Sequence, residues 1–366
     1  MKIVNSTFCA LTIIALGLTA VSCKKNSAAP PPGQGVASMV TTFAGTGTPG
    51  LVNGTGTAAS FNDPCDLIIG KDGKLYVGDW NNNVIRTMNL SNAAVNTFAG
   101  TGAQGYVNGP AATAQFLGPA HIAFDNAGNL FVSDEENNMI REITTAGNVI
   151  TVAGSGVNGY QDGPVTTAKF SHPEGILVDA AGDLYVADGN NTSNVIRKIT
   201  LSTGLVSTVA GTGTEGYHDG PAATASFKNP YGMTMDASGN IYVADIGNNV
   251  IRKINIATAT VSTFAGSGTP GMIDGAASAR FYFPIACIFD KNGNMFVADL
   301  FNNAIRKIST AGIVSTYAGT GTQGAENGVA TQATFYHPIA LAIDASENLY
   351  VADEYNSLIR KISAGQ

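Results

Sequence analysis

Charged residues are scarce in this sequence. Asp, Glu, Lys and Arg together make up 12% of the 366 residues, whereas globular proteins usually carry about a quarter. The balance is acidic, with a net charge of -7, and the chain has no long run of basic residues. Because binding to nucleic-acid phosphates needs a basic surface, the composition excludes a nucleic-acid partner.

Long apolar runs are also lacking, except near the N-terminus. CALTIIALGLTAV (9–21) follows a Met-Lys start and is too short to span a bilayer stably. The segment Ala20-Val21-Ser22-Cys23 after it resembles a bacterial lipoprotein lipobox, with Ala where Leu is usual. The resemblance implies a signal peptide over 1–22 and lipidation of Cys23; an ordinary signal peptide with an incidental cysteine is the alternative.

The stretch that follows is rich in Pro and Gly and has no hydrophobic period. We therefore expect residues 23–38 to be the lipidated cysteine and a flexible tether, and the folded domain to cover 39–366. Together these segments predict an outer-membrane lipoprotein of the bacterial cell envelope. Whether it faces the periplasm or the cell surface stays open, because Lys24 and Lys25 stand where acidic export signals occur in some groups.

Glycine, in contrast, is abundant, and the pattern G-x-G-x-x-G occurs six times. One copy of it, before a helix, is typical of a dinucleotide site. The copy at 211–216 is followed by Gly220 and Pro221, which break any helix. We interpret the six loops as connectors of a repeat and expect no NAD or FAD. They lie at 45–50, 100–105, 154–159, 211–216, 266–271 and 319–324.

A unit of about 55 residues repeats six times. Its I-R arginines are separated by 55, 56, 55, 54 and 54 residues, and each unit holds four short strand signals. Four antiparallel strands at such a period are the signature of a β-propeller blade. The arginines are Arg86, Arg141, Arg197, Arg252, Arg306 and Arg360.

The chain ends predict how the ring closes. MVTTFAG (39–45) is an isolated fourth-strand signal, and the last unit stops after its third strand, LIRKIS (358–363). The N-terminal strand can therefore complete the C-terminal blade and leave no open edge. We predict an all-β fold, a six-bladed β-propeller of four-stranded antiparallel blades.

The repeated pattern resembles the NHL repeat family. It is seen in NPYGMTMDASGNIYVADIGNNVIRKI (229–254) and in HPIALAIDASENLYVADEYNSLIRKI (337–362). The resemblance covers 39–366 and implies that the first strand of each blade is innermost. It does not imply one function, because such propellers include binding modules, scaffolds, and lyases or lactonases with a metal in the channel.

Residues shared by all six units are expected to build the blade. The arginines should pair with carboxylates or carbonyls between strands, and the six aspartates that end the second strands should accept backbone N–H groups. Cys65 and Cys287 lie in non-adjacent units and should be buried thiols without a disulfide. The aspartates are Asp79, Asp134, Asp188, Asp245, Asp299 and Asp353.

A function at the channel should use positions where the units differ. In the two positions after each proline, four successive units carry polar groups and the other two are apolar there. We predict a small-ligand site at the channel mouth; side chains that merely solvate a wet entrance are the alternative. The predicted residues are Asp66, His121, Glu174 and Tyr231.

The turns between second and third strands should lie on the same face. Large side chains there, expected to be exposed, suggest contact with a glycan or protein. The predicted binding residues are Trp80, Phe301 and Tyr355, with Leu300 a further large apolar group on these turns.

An enzymatic function is the alternative to binding. The zinc histidines of lyase-type NHL propellers have no counterpart, since the position directly after each proline holds no His, and no G-x-S-x-G elbow occurs. A calcium-dependent, lactonase-like site could use Glu174, Asp66 and His121. We predict a monomeric binding module for a carbohydrate, peptide or protein, with a metal-dependent hydrolase, lactonase or lyase as the alternative and no cofactor assigned.

Overall fold

The chain is described by a computed structural model, which covers residues 37–189 and 192–365. The predicted signal peptide, Cys23 and most of the tether lie outside these residues. In the described part, no helix is long and apolar enough to cross a membrane.

Six antiparallel sheets form the six blades. In blades one to five the four inner strands follow chain order from the inside outwards, whereas in blade six the fourth strand is the N-terminal Met39–Ala44. The inner four strands of blades one to three are Pro64–Ile69, Lys74–Asp79, Val84–Asn89 and Ala94–Ala99; Pro119–Phe124, Leu130–Asp134, Met139–Ile143 and Asn148–Ala153; and Pro173–Val178, Leu184–Asp188, Val195–Thr200 and Leu205–Ala210. Those of blades four to six are Pro230–Met235, Ile241–Asp245, Val250–Asn255 and Thr260–Ala265; Pro284–Phe289, Met295–Asp299, Ala304–Ile308 and Val314–Ala318; and Pro338–Ile343, Leu349–Asp353, Leu358–Ile362 and Met39–Ala44.

The connectors add a feature that the repeat pattern did not predict. In five blades a two-residue strand pairs with the outer edge of the fourth strand, so these sheets have five strands. In blade five an isolated bridge between Gly275 and Val314 takes that place. The short strands are Gly54–Thr55, Gly109–Pro110, Gly163–Pro164, Gly220–Pro221 and Gly328–Val329.

The ring closes as predicted. Met39–Ala44 pairs antiparallel with Leu358–Ile362, with Val40 opposite Ile362 and Thr42 opposite Arg360. The first strands of neighbouring blades contact one another around the whole ring, including Pro338–Ile343 against Pro64–Ile69. The first strand is therefore innermost, as the family resemblance implied.

A buried Asp–Arg pair joins the second and third strands of every blade. In blade one, Arg86 Nη1 donates to Asp79 Oδ2 at 2.7 Å, and the Asn62 backbone N–H donates to Asp79 Oδ1 at 2.8 Å. The guanidinium lies over the ring of Phe61, 5.3 Å from its centroid. The predicted pairing is confirmed, with distances of 2.6–2.8 Å in Asp134–Arg141, Asp188–Arg197, Asp245–Arg252, Asp299–Arg306 and Asp353–Arg360.

Short 3-10 turns link most second strands to third strands. Each ends on a residue in the left-handed region, such as Asn83 with φ 54° and Asn303 with φ 47°, a conformation that Asn tolerates. These turns are Trp80–Asn82, Glu135–Asn137, Ile246–Asn248, Leu300–Asn302 and Glu354–Asn356, and a further 3-10 turn, Gly56–Ala58, lies in a connector. Cys65 and Cys287 are buried free thiols, as predicted.

Candidate functional site

The strand register brings the variable positions to one face of the ring. The first strand begins opposite the end of the second, with Pro64 paired to Asp79 and Pro119 to Asp134. The residues around each proline therefore lie beside the turns that follow the second strands. We call this face the proline face.

The four predicted channel-mouth residues come together on this face. His121 Nδ1 lies 3.4 Å from Asp66 Oδ2, and the His121 ring packs edge-on against Tyr231 with centroids 5.0 Å apart. Tyr231 interacts through its hydroxyl with the Glu174 carboxyl. Asp66 Oδ2 also accepts the Ile122 backbone N–H at 2.8 Å. The four side chains form one continuous set of contacts across blades one to four.

Burial controls the protonation of Glu174 and Tyr231. Burial raises the pKa of Glu174 well above its usual range, and the negative charge of Glu135 raises it further. Burial likewise raises the pKa of Tyr231, with Glu174 adding to the effect. The protonated carboxyl of Glu174 is therefore favoured, and its Oε2 atom is buried without a hydrogen-bond partner.

The predicted exposure of the turn side chains is correct for Tyr355, which is 52% exposed, and wrong for Trp80, Leu300 and Phe301. Trp80 is half-buried because its indole packs over Gly118 of the next blade. Its Nε1 donates to Glu135 Oε2 at 2.7 Å. Leu300 is buried and Phe301 half-buried.

Phe301 and Tyr355 belong to a cluster of aromatic rings on blades five and six, which we call the aromatic wall. Phe301 lies 4.8 Å from Phe283 and 5.1 Å from His337, and His337 lies 4.3 Å from Tyr355. Burial lowers the pKa of His337 to about 4, so its imidazole is neutral in the stack at neutral pH. The wall consists of Tyr282, Phe283, Phe301, Tyr336, His337 and Tyr355.

A pocket that was not predicted from the repeats opens beside the aromatic wall, where blade six meets blade one. Its volume is about 270 Å3. Asp63 and Glu354 lie in it with their carboxyls hydrogen-bonded, and burial raises the pKa of both. Asn81 Nδ2 donates to Asp63 Oδ2 at 2.9 Å. The lining residues are Pro49, Asn62, Asp63, Asn81, Tyr336, Glu354, Tyr355 and Ser357.

A second missed group lies at the junction of blades two and three. Glu135, Glu136 and His172 each offer one ligand atom, and these atoms lie within 4.8 Å of one another. Within residues 37–189 and 192–365, no other three acidic, His or Cys side chains meet that criterion. Asp66, His121 and Glu174 therefore do not converge on one point, as a calcium site built from them would require.

The position directly before each proline in the repeat would have pointed to Asp63 and His172. Its six residues all have a positive φ, between 52° and 66°; they are Asp63, Gly118, His172, Asn229, Phe283 and His337. These residues contact the turn of the preceding blade, as His172 contacts Glu135 and Asp63 contacts Glu354.

Known proteins are similar in sequence to most of this chain. No family model matches it. Protein SUPPRESSOR OF QUENCHING 1 of Arabidopsis thaliana is 31% identical over 279 residues, which cover 72% of this chain and 26% of that protein. NHL repeat-containing protein 2 of Homo sapiens is 26% identical over 295 residues, which cover 70% and 40%. The chain thus spans less than half the length of these curated relatives.

A solved structure supports the fold. An auxiliary nutrient binding protein from Bacteroides ovatus superposes with a TM-score of 0.70 at 20% identity, covering 90% of this chain and 77% of that chain. At this identity the likeness concerns architecture alone.

Proposed function

Because the chain is a six-bladed β-propeller homologous to NHL repeat proteins, we propose that it is a binding module. Its ligand is a carbohydrate, held on the proline face in the pocket between blades six and one. One observation carries the proposal: an exposed tyrosine, Tyr355, stands beside a concave set of carboxyl and amide groups.

The aromatic side of the pocket suits the C–H face of a sugar ring. Tyr336 and Tyr355 pack edge-on with centroids 5.0 Å apart, and His337 holds Tyr355 from behind at 4.3 Å. Aromatic side chains fixed in this way offer contact area at low entropic cost.

The polar side suits hydroxyl groups. Asp63 and Glu354 offer carboxyl oxygens, and Asn62 and Asn81 add amides that both donate and accept hydrogen bonds. The lining is mainly polar, which suits a ligand rich in hydroxyl groups, and its volume of about 270 Å3 lies just below the range of about 300–1,000 Å3 that is usual for small-ligand sites.

The charge of the pocket argues against an anionic ligand. Its eight lining residues in the described part of the chain include two acids and no Lys or Arg. The solved Bacteroides protein described as nutrient-binding shares this architecture, which supports a binding role without identifying the ligand.

The proposal is tested by screening the purified protein against immobilised glycans and measuring each hit by calorimetry. Tyr355→Ala should weaken binding about tenfold or more, equivalent to about 1.4 kcal/mol, and Glu354→Gln should weaken it as well. Tyr106→Ala is the control, because Tyr106 is 63% exposed in a connector and does not line the pocket. Binding only to peptides or proteins, or equal loss in the control, would contradict a carbohydrate site.

A second candidate, a hydrolase, lactonase or lyase at the channel mouth, is favoured by the pair of His121 and Asp66. Asp66 faces His121 Nδ1 at 3.4 Å, and Nε2 is buried without a partner, an arrangement that suits an acid–base group. Turnover of a lactone or ester that is lost in His121→Gln would support this candidate, and no turnover on such a panel would contradict it.

The proposed envelope location rests on the lipobox-like segment ending at Cys23. Labelled palmitate fed to the producing bacterium should be incorporated into the wild-type protein and not into Cys23→Ser. An unlabelled wild-type protein would contradict the anchor.

A further inference from the structure

We propose that Glu135, Glu136 and His172 bind a divalent transition-metal ion, best Zn²⁺, across the junction of blades two and three. Their ligand atoms lie within 4.8 Å of one another, and Glu135 Oε1 is 3.4 Å from His172 Nδ1. Two ligands of one tetrahedral Zn²⁺ lie roughly 3.3 Å apart, given bonds of about 2.0–2.1 Å. The observed separation already matches that spacing.

Two of the ligand atoms face each other and have no other partner. Glu135 is 3% exposed, and neither its Oε1 atom nor His172 Nδ1 makes a hydrogen bond apart from their mutual contact at 3.4 Å, which is an ion pair only when His172 is protonated. A buried carboxylate oxygen without a good donor is destabilising, so native structures seldom retain one. An ion between the two atoms would satisfy both.

The surroundings hold these ligands in place. Trp80 Nε1 donates to Glu135 Oε2 at 2.7 Å, which leaves Oε1 for the ion, as outer partners of metal-binding carboxylates do. The His172 backbone N–H donates to Asn138 Oδ1 at 3.0 Å.

One glycine makes room for this arrangement. A Cβ at Gly118 would lie 2.7 Å from Trp80 Nε1 and 3.2 Å from Glu136 Cγ. A side chain there would therefore displace both the supporting indole and the third ligand.

The chemistry of the set favours a borderline metal over calcium. Calcium takes six to eight oxygen ligands, whereas one imidazole with two carboxylates suits Zn²⁺ and leaves a position open for another ligand.

The site is specific to one junction. The matching residues at the junction of blades five and six are Leu300, Phe301 and His337, where the imidazole stacks with aromatic rings instead of facing carboxylates. The set is thus not a shared part of the blade. The inference does not depend on the carbohydrate proposal, which concerns a different junction.

The test is competition of the purified, chelator-treated protein with a chromogenic Zn²⁺ indicator, together with the visible spectrum after Co²⁺ addition. We expect about one Zn²⁺ per chain. Glu136→Gln and His172→Asn should each weaken binding about 100-fold or more, since outer partners alone contribute about 10–100-fold. Glu136 is exposed and Asn229 occupies the position of His172 in blade four, so both variants are expected to fold.

The matched controls are Glu354→Gln and His337→Asn, which make the same changes at other junctions. They should leave Zn²⁺ affinity and the Co²⁺ spectrum unchanged. Absence of Zn²⁺ binding in the wild type, or binding that the two site variants do not weaken, would overturn the proposal.

Discussion

Asp63 and Glu354 join their carboxyls by a hydrogen bond across the seam where the last blade meets the first. Two carboxyls in contact cannot both ionise without repulsion. Burial is the main cause that raises each pKa, and the charge of Asp63 adds to the effect on Glu354. The seam therefore favours a shared proton.

This pair predicts a loss of stability at higher pH. A folded-state pKa of Glu354 above 4.5 means that the folded chain keeps a proton that the unfolded chain releases, so the free energy of unfolding falls as pH rises through the folded pKa. Glu354→Gln should flatten that decrease and be at least as stable as the wild type at pH 8. Urea unfolding at pH 5 and pH 8 measures this; a variant with an unchanged pH slope would contradict it.

The buried Asp–Arg pairs predict large stability losses in any blade. Asp245 accepts hydrogen bonds from Arg252 at 2.7 Å and from the Lys228 backbone N–H at 2.7 Å. Asp245→Asn removes the fully buried partner of Arg252 and leaves its guanidinium paired only with the part-exposed Asp219, so it should cost about 1–3 kcal/mol of unfolding free energy.

The matched control for that prediction is an exposed ion pair. Lys228 Nζ lies 3.3 Å from Glu215, with both side chains more than 40% exposed. Glu215→Gln should change stability by about 0–1 kcal/mol. Comparable losses in both variants, measured by denaturant unfolding, would argue against the buried pair as a main support of the blade.

Ring closure predicts that the N-terminal strand is essential. Val40 is fully buried in Met39–Ala44, whereas its neighbour Thr41 is exposed. Val40→Asp buries an unpaired charge at the seam and should lower the melting temperature strongly, while Thr41→Asp should change it little. Equal melting temperatures in thermal unfolding would show that the strand contributes little to the closed ring.

The six-fold repetition explains what could be predicted from the sequence. The Asp79–Arg86 type of pair recurs in every blade, and the innermost strands surround one axis, which brings Asp66, His121, Glu174 and Tyr231 of blades one to four together. In an alignment of the six repeats, each turn is seen only as part of its own blade.

The side chains that were missed, and one whose exposure was wrongly predicted, interact between blades. Glu354 contacts Asp63, Glu135 contacts His172 and Trp80 covers Gly118. The predicted exposure of Trp80 was wrong because its indole packs against the next blade. Only the three-dimensional junction shows which turn residue meets which residue before a proline.

His337 predicts acid sensitivity of the aromatic wall. Burial lowers its pKa from 6.5 to about 4, so the unfolded chain binds a proton that the folded chain refuses over this interval. The contribution of His337 to the free energy of unfolding is therefore fully present above pH 6.5 and is lost as pH falls toward 4.

The test is His337→Asn, because Asn can also adopt the φ of 58° found at this position. The variant should lose packing against Tyr355 and be less stable at pH 7. It should also lose less stability than the wild type between pH 7 and pH 4.5, which urea unfolding at the two pH values measures. His218→Asn is the control, because His218 is exposed in a connector outside the aromatic wall, and its acid dependence should follow the wild type. A steeper or equal loss in His337→Asn would mean that the imidazole is protonated within the stack.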